Sequence, residues 1–566
     1  MGHPRVESVP AVHVDRNGLV YLAGTFIPPD APFSDEFNIA YLTRIDPVQR
    51  RVDYTTILDG ASFNGMTVDA LGRPIVVGDT VSQEFPVSPD APQPQLAGEA
   101  DGFIVRLAAN GTSIQSATLA GGSGADSLSS VALLSNGDVC AAGSTRSPNL
   151  PVVRALQPTA PDLGPASRFL DNGWLACWSP GESDWRVVTY LGEASRSPIT
   201  DMVESPRGGV ALCGSQLAPD GYLGAWVAEL FPDLSAFRFQ TRLGGGFGNS
   251  LAHGIAAASA GEICVAGETS DPAFPVTIGV PVADRIRFAD RGFVTKLDAS
   301  GRAIRFARTF GNRGELSGGF SDIAIHPNTG SVWAVGGFLR DFFSPKGRSS
   351  DLPLVGFWTR IGEAYLVCVD RNGRSTLFST HLPFDPLSRT SIQLGLDGRG
   401  YLVGAGQSLL FRGLSGLDDT VQGVQLVGFS TSESVGHGTL EVFPRRKLRI
   451  RAASLGTGKG QVFVVNHGSD PIDVQANVVF GPFSVDPLNS SFTLGPGKGR
   501  TLLVTLSGGE DGSPGGLLTL CSNARSESIK RVWLDGIVGT GEFSKPPSRP
   551  LTSNGIVPIT LKGGHR

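Results

Sequence analysis

Charge is scarce in this chain. Only 17% of its 566 residues are Asp, Glu, Lys or Arg, and 47 basic against 52 acidic side chains leave a net charge of −5. That is not the basic excess of a general nucleic-acid binder. Nor is it the composition of a disordered chain, because 40% of the residues are hydrophobic. Long apolar runs are missing too: no stretch approaches the roughly 20 residues of a membrane helix, so no membrane span is expected. The opening MGHPRVESVPAVHVDRNG has neither the apolar core nor the cleavage site of a secretory signal. The expectation is an intracellular protein, or a start that is missing or processed. The six cysteines show no CxxC or other metal spacing, so neither a metal site nor a disulfide framework is expected. What abounds is glycine (75) and proline (39), together about a fifth of the chain and well above the usual share. This excludes a helical bundle or long coiled coil and points to a turn-rich β protein.

The strongest signal is internal repetition. A Gly-x5-Gly unit enclosing a short apolar run recurs at Gly18/Gly24, Gly72/Gly78, Gly137/Gly143, Gly208/Gly214, Gly261/Gly267, Gly330/Gly336 and Gly398/Gly404. Three residues before the second glycine stand Tyr21, Ile75, Cys140, Ala211, Cys264, Trp333 and Tyr401, all apolar. The first glycine often follows a turn former, as a tight hairpin requiring positive φ demands. A second element, YLTRI, FIVRL, WLACW, WVAEL, FVTKL and YLVCV, opens on Tyr41, Phe103, Trp174, Trp226, Phe293 and Tyr365. Strand geometry puts its first, third and fifth residues on one face, the expected buried one. Each aromatic contributes on the order of 1.5–3 kcal/mol on burial, enough to stack one unit on the next.

Successive first glycines are 54, 65, 71, 53, 69 and 68 residues apart, room for about four short strands with enlarged loops. The expected architecture is an all-β chain with a seven-bladed β-propeller. Read with each aromatic strand preceding its hairpin, the pattern leaves the first hairpin without one. Its strand is expected from DTVQGVQLVGFS, around 419–430, closing the ring by pairing the chain ends and removing exposed edges; the competing explanation is a truncated N-terminus.

Residues 101–151, DGFIVRLAANGTSIQSATLAGGSGADSLSSVALLSNGDVCAAGSTRSPNLP, resemble the bacterial SBBP-type β-propeller repeat, as do RGFVTKLDASGRAIRF and AGEICVAGETSDPAFPV. The resemblance spans about residues 6–413. It includes the Phe-Pro ending at Phe85-Pro86 and Phe274-Pro275, with Leu150-Pro151 as a variant. The copies at Trp174 and Tyr365 lack a clear Gly-Gly segment. The family implies a bacterial surface or secreted protein without a common catalytic site.

After about residue 436 short strands recur at roughly ten-residue spacing, as in an antiparallel sandwich. Asn466-His467-Gly468, Phe483-Ser484-Val485, Leu494-Gly495-Pro496-Gly497, Leu518-Thr519-Leu520 and Leu534-Asp535-Gly536 resemble the Ig-like ASPM/SPD-2/Hydin class. Such modules act as spacers or docking units. Where that class carries a Phe-Thr-Pro turn, this chain has Ser507-Gly508-Gly509. The expected domains are a propeller at 1–435, an Ig-like β-sandwich at 436–541, and a linker or disordered tail at 542–566.

HExxH, GxSxG and GxxxxGK[ST] are all absent. Gly456-Thr457-Gly458-Lys459-Gly460 has no following helix to seat a phosphate and reads as a turn. Asp15-Arg16-Asn17-Gly18 and Asp370-Arg371-Asn372-Gly373 lack the other ligands of a calcium loop and read as hairpin turns. Cys140 and Cys264 share one repeat position and Cys177 and Cys368 another; all read as buried small hydrophobes in separate blades. The eight histidines do not cluster. In the run Arg445, Arg446, Lys447, Arg449, Arg451, alternation with Leu448 and Ile450 places the last three charges on a solvated strand face. No catalytic residue, metal ligand or cofactor is expected.

The enlarged segments 80–100, 144–172, 268–290 and 337–363 follow the hairpins and should emerge at equivalent places. Among them Arg285, Arg287, Phe288 and Arg291 combine residue types favoured as binding anchors. The expected function is a non-enzymatic interaction or surface scaffold presenting propeller loops to a protein or glycan partner, with no nucleic acid involved. One alternative is a propeller-type enzyme, a lactonase or polysaccharide lyase, working in the central channel. Another is an intracellular assembly component. The resemblance implies an extracellular or cell-surface location, the unsignalled start a cytoplasmic one.

Overall fold

The computed structural model describes residues 5–27, 38–49, 51–161, 171–192, 197–217, 221–278, 291–310, 316–340, 363–382, 389–395, 399–405, 424–430, 436–443, 447–453, 456–467, 471–486, 490–508, 512–522, 524–526 and 529–539. It is all-β: the described residues form strands in many small sheets and no helix, so none is long and apolar enough to cross a membrane. The chain divides into two compact units, Met1–Glu433 and Ser434–Arg566.

The described part of the first unit holds seven antiparallel meanders, in which strands adjacent in sequence are adjacent in the sheet. Sheet 1 comprises Arg5–Val14, Val20–Ile27, Ile39–Asp46 and Arg51–Asp59. Sheet 2 comprises Ala61–Val68, Pro74–Thr80, Asp101–Leu107 and Ile114–Ala120; sheet 3, Asp126–Leu133, Val139–Thr145, Asn172–Trp178 and Trp185–Leu191. Sheet 4 has Ile199–Glu204, Val210–Leu217, Leu223–Leu230 and Phe237–Leu243; sheet 5, Ser250–Ala257, Ile263–Thr269, Arg291–Leu297 and Ile304–Phe310. Sheet 6 has Leu316–Ile325, Val332–Arg340, Glu363–Val369 and Thr376–Leu382; sheet 7, Ser391–Leu394, Arg399–Ala405 and Val424–Ser430.

The two glycines of the repeat do different work. The first adopts positive φ in its turn, 92° at Gly137, whose N–H donates to the Leu134 carbonyl. The second faces a β-bulge in the leading strand of its sheet. At Gly143 the pairing slips between Ser130–Ala142 and Leu128–Gly143, leaving Ser129 as the extra residue. A Cβ on Gly143 would stand 2.1 Å from the Ser127 carbonyl oxygen; Gly78, Gly214, Gly267 and Gly336 meet a carbonyl oxygen in the same way.

The same glycine also pairs directly with the leading aromatic: Gly24 with Tyr41, Gly78 with Phe103, Gly143 with Trp174, Gly214 with Trp226, Gly267 with Phe293, Gly336 with Tyr365. Each aromatic strand therefore belongs with the hairpin before it, not the one after. This corrects the sequence reading. The first hairpin does not lack an aromatic strand; the seventh does, and Val424–Ser430 stands in that place beside Arg399–Ala405. Among the described residues Arg5–Val14 pairs only with Val20–Ile27, so pairing of the chain ends is not observed. The misreading arises because sequence order alone does not say which neighbour a strand joins.

A single buried face per aromatic strand is also overturned. Phe103, Ile104 and Val105 are all buried, because sheets 1 and 3 cover opposite faces of sheet 2. The Phe-Pro endings fold back onto the same aromatics: Phe85 stacks on Phe103 and Phe274 lies on Phe293, ring centroids 4.7 Å apart in each case. Such contacts contribute roughly 0.5–1.5 kcal/mol beyond area burial.

In the second unit two five-stranded sheets enclose one apolar core, including Ile450, Val464, Leu502, Leu520 and Val532. Lys447–Ala453 alternates as the sequence pattern expects, with Lys447, Arg449 and Arg451 exposed and Ile450 buried; Lys447 and Arg449 pair with Asp535 at 3.0 and 2.9 Å. Arg445 and Arg446 lie outside the described residues. Two pairings depart from an antiparallel sandwich: Lys447–Ala453 runs parallel to Ile529–Gly539, and Gly436–Phe443 parallel to Ala524–Ser526. The glycine run is not simply a turn. Thr457–Asn466 is a strand, and Gly458 sits where a Cβ would meet the Arg451 carbonyl oxygen at 2.0 Å.

Candidate functional site

Of the four anchors expected in the loop before residue 291, only Arg291 lies among the described residues. Arg285, Arg287 and Phe288 lie outside the described residues. Arg291 is the first residue of Arg291–Leu297, 4% exposed and opposite Thr269, so it is not the exposed loop residue expected. The ladder extends this strand two residues before its aromatic, Phe293, and so draws Arg291 into the sheet.

The structure instead draws attention to the leading strands. Each contacts the leading strand of the next sheet, and that of sheet 7 contacts that of sheet 1. All seven segments line a cavity of about 490 Å³. The bulge governs what faces it. The extra residue is Asn64, Ser129, Thr200, His253 or Ser321 in sheets 2 to 6, and hydroxyls there bridge neighbouring sheets. Ser129 Oγ reaches the carbonyls of Ala142 in its own sheet and Ile199 in the next, at 3.1 and 2.6 Å. Thr200 Oγ1 does the same with Cys213 and Ala252, and Ser321 Oγ with Val335 and Thr390.

One residue further on are two aspartates. Asp201 accepts from Ser130 Oγ of sheet 3, from its neighbour Met202 N, and from Ile255 N of sheet 5, at 2.8, 2.8 and 2.9 Å. Asp322 accepts from Ile323 N, and from Ser391 Oγ and Ile392 N of sheet 7, at 2.7, 2.6 and 2.8 Å. Burial raises the pKa of both; the Asp201 charge adds to the rise at Asp322, which reaches about 7. His13, also on the cavity wall, is pushed down to about 4 by burial and is neutral at physiological pH. Nearby, His253 Nε2 lies 3.8 Å from Glu268.

With three donors each, Asp201 and Asp322 bind strands of different sheets together and have most of their acceptor sites engaged. This is the chemistry of a clamp. Sequence reasoning missed it, although a polar residue followed by a small one or Asp does recur 14 or 15 residues before the second glycine.

The cysteines require a second correction. Cys140 and Cys177 are directly paired across two strands of sheet 3 and form a disulfide, Cα atoms 4.1 Å apart. They occupy different repeat positions, but those positions oppose each other within each sheet, as Tyr21 and Arg44 or Cys264 and Lys296 show. Cys213, Cys264 and Cys368 are buried thiols, with burial raising the pKa of Cys213 and taking Cys264 to about 12.

No protein-family model and no curated protein matches the chain. Among solved structures it is similar to a PapD-like (ASH) domain of human CEP192, at 14% identity, covering 18% of this chain and 87% of that one with a TM-score of 0.16. A protein of unknown function from Dyadobacter fermentans matches at 13% identity over 60% of this chain and 91% of that one, TM-score 0.34. WR4, an MSP family member of C. elegans, matches at 10% identity over 18% and 99%, TM-score 0.14.

Proposed function

We propose that the first unit is a closed seven-bladed propeller of the SBBP type, that the second is an Ig-like module of the ASPM/SPD-2/Hydin class, and that the protein is a non-enzymatic interaction scaffold. The observation that carries this reading is the use of the cavity's buried carboxylates: Asp201 and Asp322 each take two of their donors from other sheets and so hold sheets together. A frame stiffened in this way suits a protein whose enlarged segments, inserted between second and third strands, serve as binding elements, as loops on a rigid scaffold do. The Cys140–Cys177 disulfide favours an extracellular or cell-surface setting over the cytoplasm. The partner is a protein or a glycan.

The test is retention by the immobilised full chain of a component of envelope material or soluble lysate. That component is then identified and titrated against chains with segment 80–100 shortened. Saturable binding of one defined macromolecule, weakened by the shortening, supports the reading. Turnover in an ester and glycan screen that disappears in Asp322→Asn refutes it in favour of a channel enzyme.

A further inference from the structure

Comparing equivalent positions around the repeat isolates one charge that forms no ion pair among the described residues. The residue three beyond the leading aromatic is Arg44, Arg106, Glu229 and Lys296 in sheets 1, 2, 4 and 5. Arg44 Nε meets Asp53 at 2.9 Å, Glu229 meets Arg207 and Arg238, and Lys296 Nζ meets Glu262 at 2.6 Å. Arg106 has no hydrogen bond or ion pair among the described residues, and its Nε is buried without a partner.

The reason lies in the fourth strand. Asp53 is the extra residue of a bulge beside the Arg44–Tyr54 pair; at the same place beside the Arg106–Ser116 pair stands Gln115. The Asp69 charge attracts Arg106 but makes no ion pair with it, and so does not replace the missing carboxylate. Its oxygens already accept from Leu71 N, Arg73 N and Arg73 Nε, at 2.9, 3.0 and 2.6 Å. Arg73 reaches Gln115 Oε1 at 3.4 Å and adds a second positive charge near Arg106. Across the strand Ser116, 7% exposed, has a buried hydroxyl also without a partner.

We propose that Arg106, Arg73 and Ser116 form a carboxylate-binding site that an aspartate or glutamate side chain, or a small free carboxylate, occupies in trans. Sheet 1 displays the ligand class, since there the chain's own Asp53 carboxylate bridges Arg44 and Arg51 at 2.9 and 2.8 Å. Leu71, 70% exposed in the adjoining turn, offers an apolar contact beside the charge, which suits a peptide-borne carboxylate. The site needs only the strands of sheet 2 and does not depend on ring closure or on the scaffold reading.

The experiment is calorimetric titration of the full chain at low salt with hexaglutamate, succinate and inorganic phosphate, repeated with Arg106→Gln and Gln115→Asp. The second substitution restores internally the carboxylate that sheet 1 possesses. Saturable binding of hexaglutamate, with or without succinate, weakened at least about tenfold by both variants, is expected. Succinate binding as well as hexaglutamate means that a free carboxylate suffices; hexaglutamate alone means that the peptide is required. Gln115→Asp should keep or raise the thermal midpoint, separating lost binding from lost folding. The net charge of −5 works against indiscriminate uptake of an acidic peptide. No saturable carboxylate binding, binding unchanged in either variant, or phosphate bound more tightly than either carboxylate overturns the proposal.

Discussion

Replacing Gly143 by alanine tests why the repeat demands its second glycine. The new Cβ would lie 2.1 Å from Ser127 O, 2.8 Å from Leu128 Cα and 2.9 Å from Ser127 C, all backbone atoms of the bulged strand, so no side chain can swing aside. Making room means opening the bulge, and Ser127 O is also an acceptor of the Trp174 indole N–H at 3.2 Å. Overpacking costs about 1–3 kcal/mol and a weakened buried hydrogen bond about 1 kcal/mol more, giving roughly 2–4 kcal/mol. Gly137→Ala is the control. Its φ is 92° but nothing lies within 4 Å of the added Cβ, so it costs only the left-handed backbone penalty of about 1–2 kcal/mol. For a unit of about 430 residues each kcal/mol lowers the midpoint by roughly 1 °C, so urea titration is the sharper assay. Trp174, Trp178 and Trp185 in sheet 3 supply the fluorescence signal. If Gly137→Ala proves equal to or costlier than Gly143→Ala, the carbonyl of the bulge does not confine this glycine, and the account of the repeat fails.

Two further outcomes follow from the buried groups. Denatured, unreduced protein should titrate two thiols fewer than reduced protein, and reduction should destabilise the first unit by about 4 kcal/mol from loop-closure entropy over the 37-residue separation; equal thiol counts, or a denaturation curve indifferent to reductant, would contradict the disulfide. The Asp322 carboxyl is pushed up to about 7 from 3.8, chiefly by burial, so the folded state holds that proton more tightly than the unfolded chain. Its contribution is complete below about pH 4 and is lost as pH rises towards 7, a change on the order of 4 kcal/mol at most. The stability of the wild type relative to Asp322→Asn should therefore fall between pH 4 and 7, and a flat or rising difference would refute this.

The repeat was legible because each of its marks answers a local demand. The first glycine is required by a turn with positive φ, and the large aromatics recur because every sheet is covered on both faces. Segment 80–100, the enlarged segment described in full, follows its hairpin as its place in the sequence implies and joins the second and third strands of sheet 2. Much of the cavity wall was legible in outline and went unused. Asp201 and Asp322 stand beside Thr200 and Ser321 at regular places, but their donors, Ser130, Ile255, Ser391 and Ile392, lie about 50 to 70 residues away in other sheets.

By itself the sequence determined that the described residues are all-β, that the first part is built from seven similar units, and that an alternating apolar pattern follows in a second region. Tertiary structure alone decided which strands share a sheet. It thereby decided that Val424–Ser430 joins sheet 7 and that Cys140 meets Cys177. It also set Asp201 and Asp322 as clamps and left the buried Arg106 Nε without a hydrogen-bond partner. The physical reason is one of range. Turn conformation and side-chain alternation act over a few residues and are written in the order of the chain, whereas hydrogen bonds and charge pairs depend on which distant segments burial brings within about 3 Å.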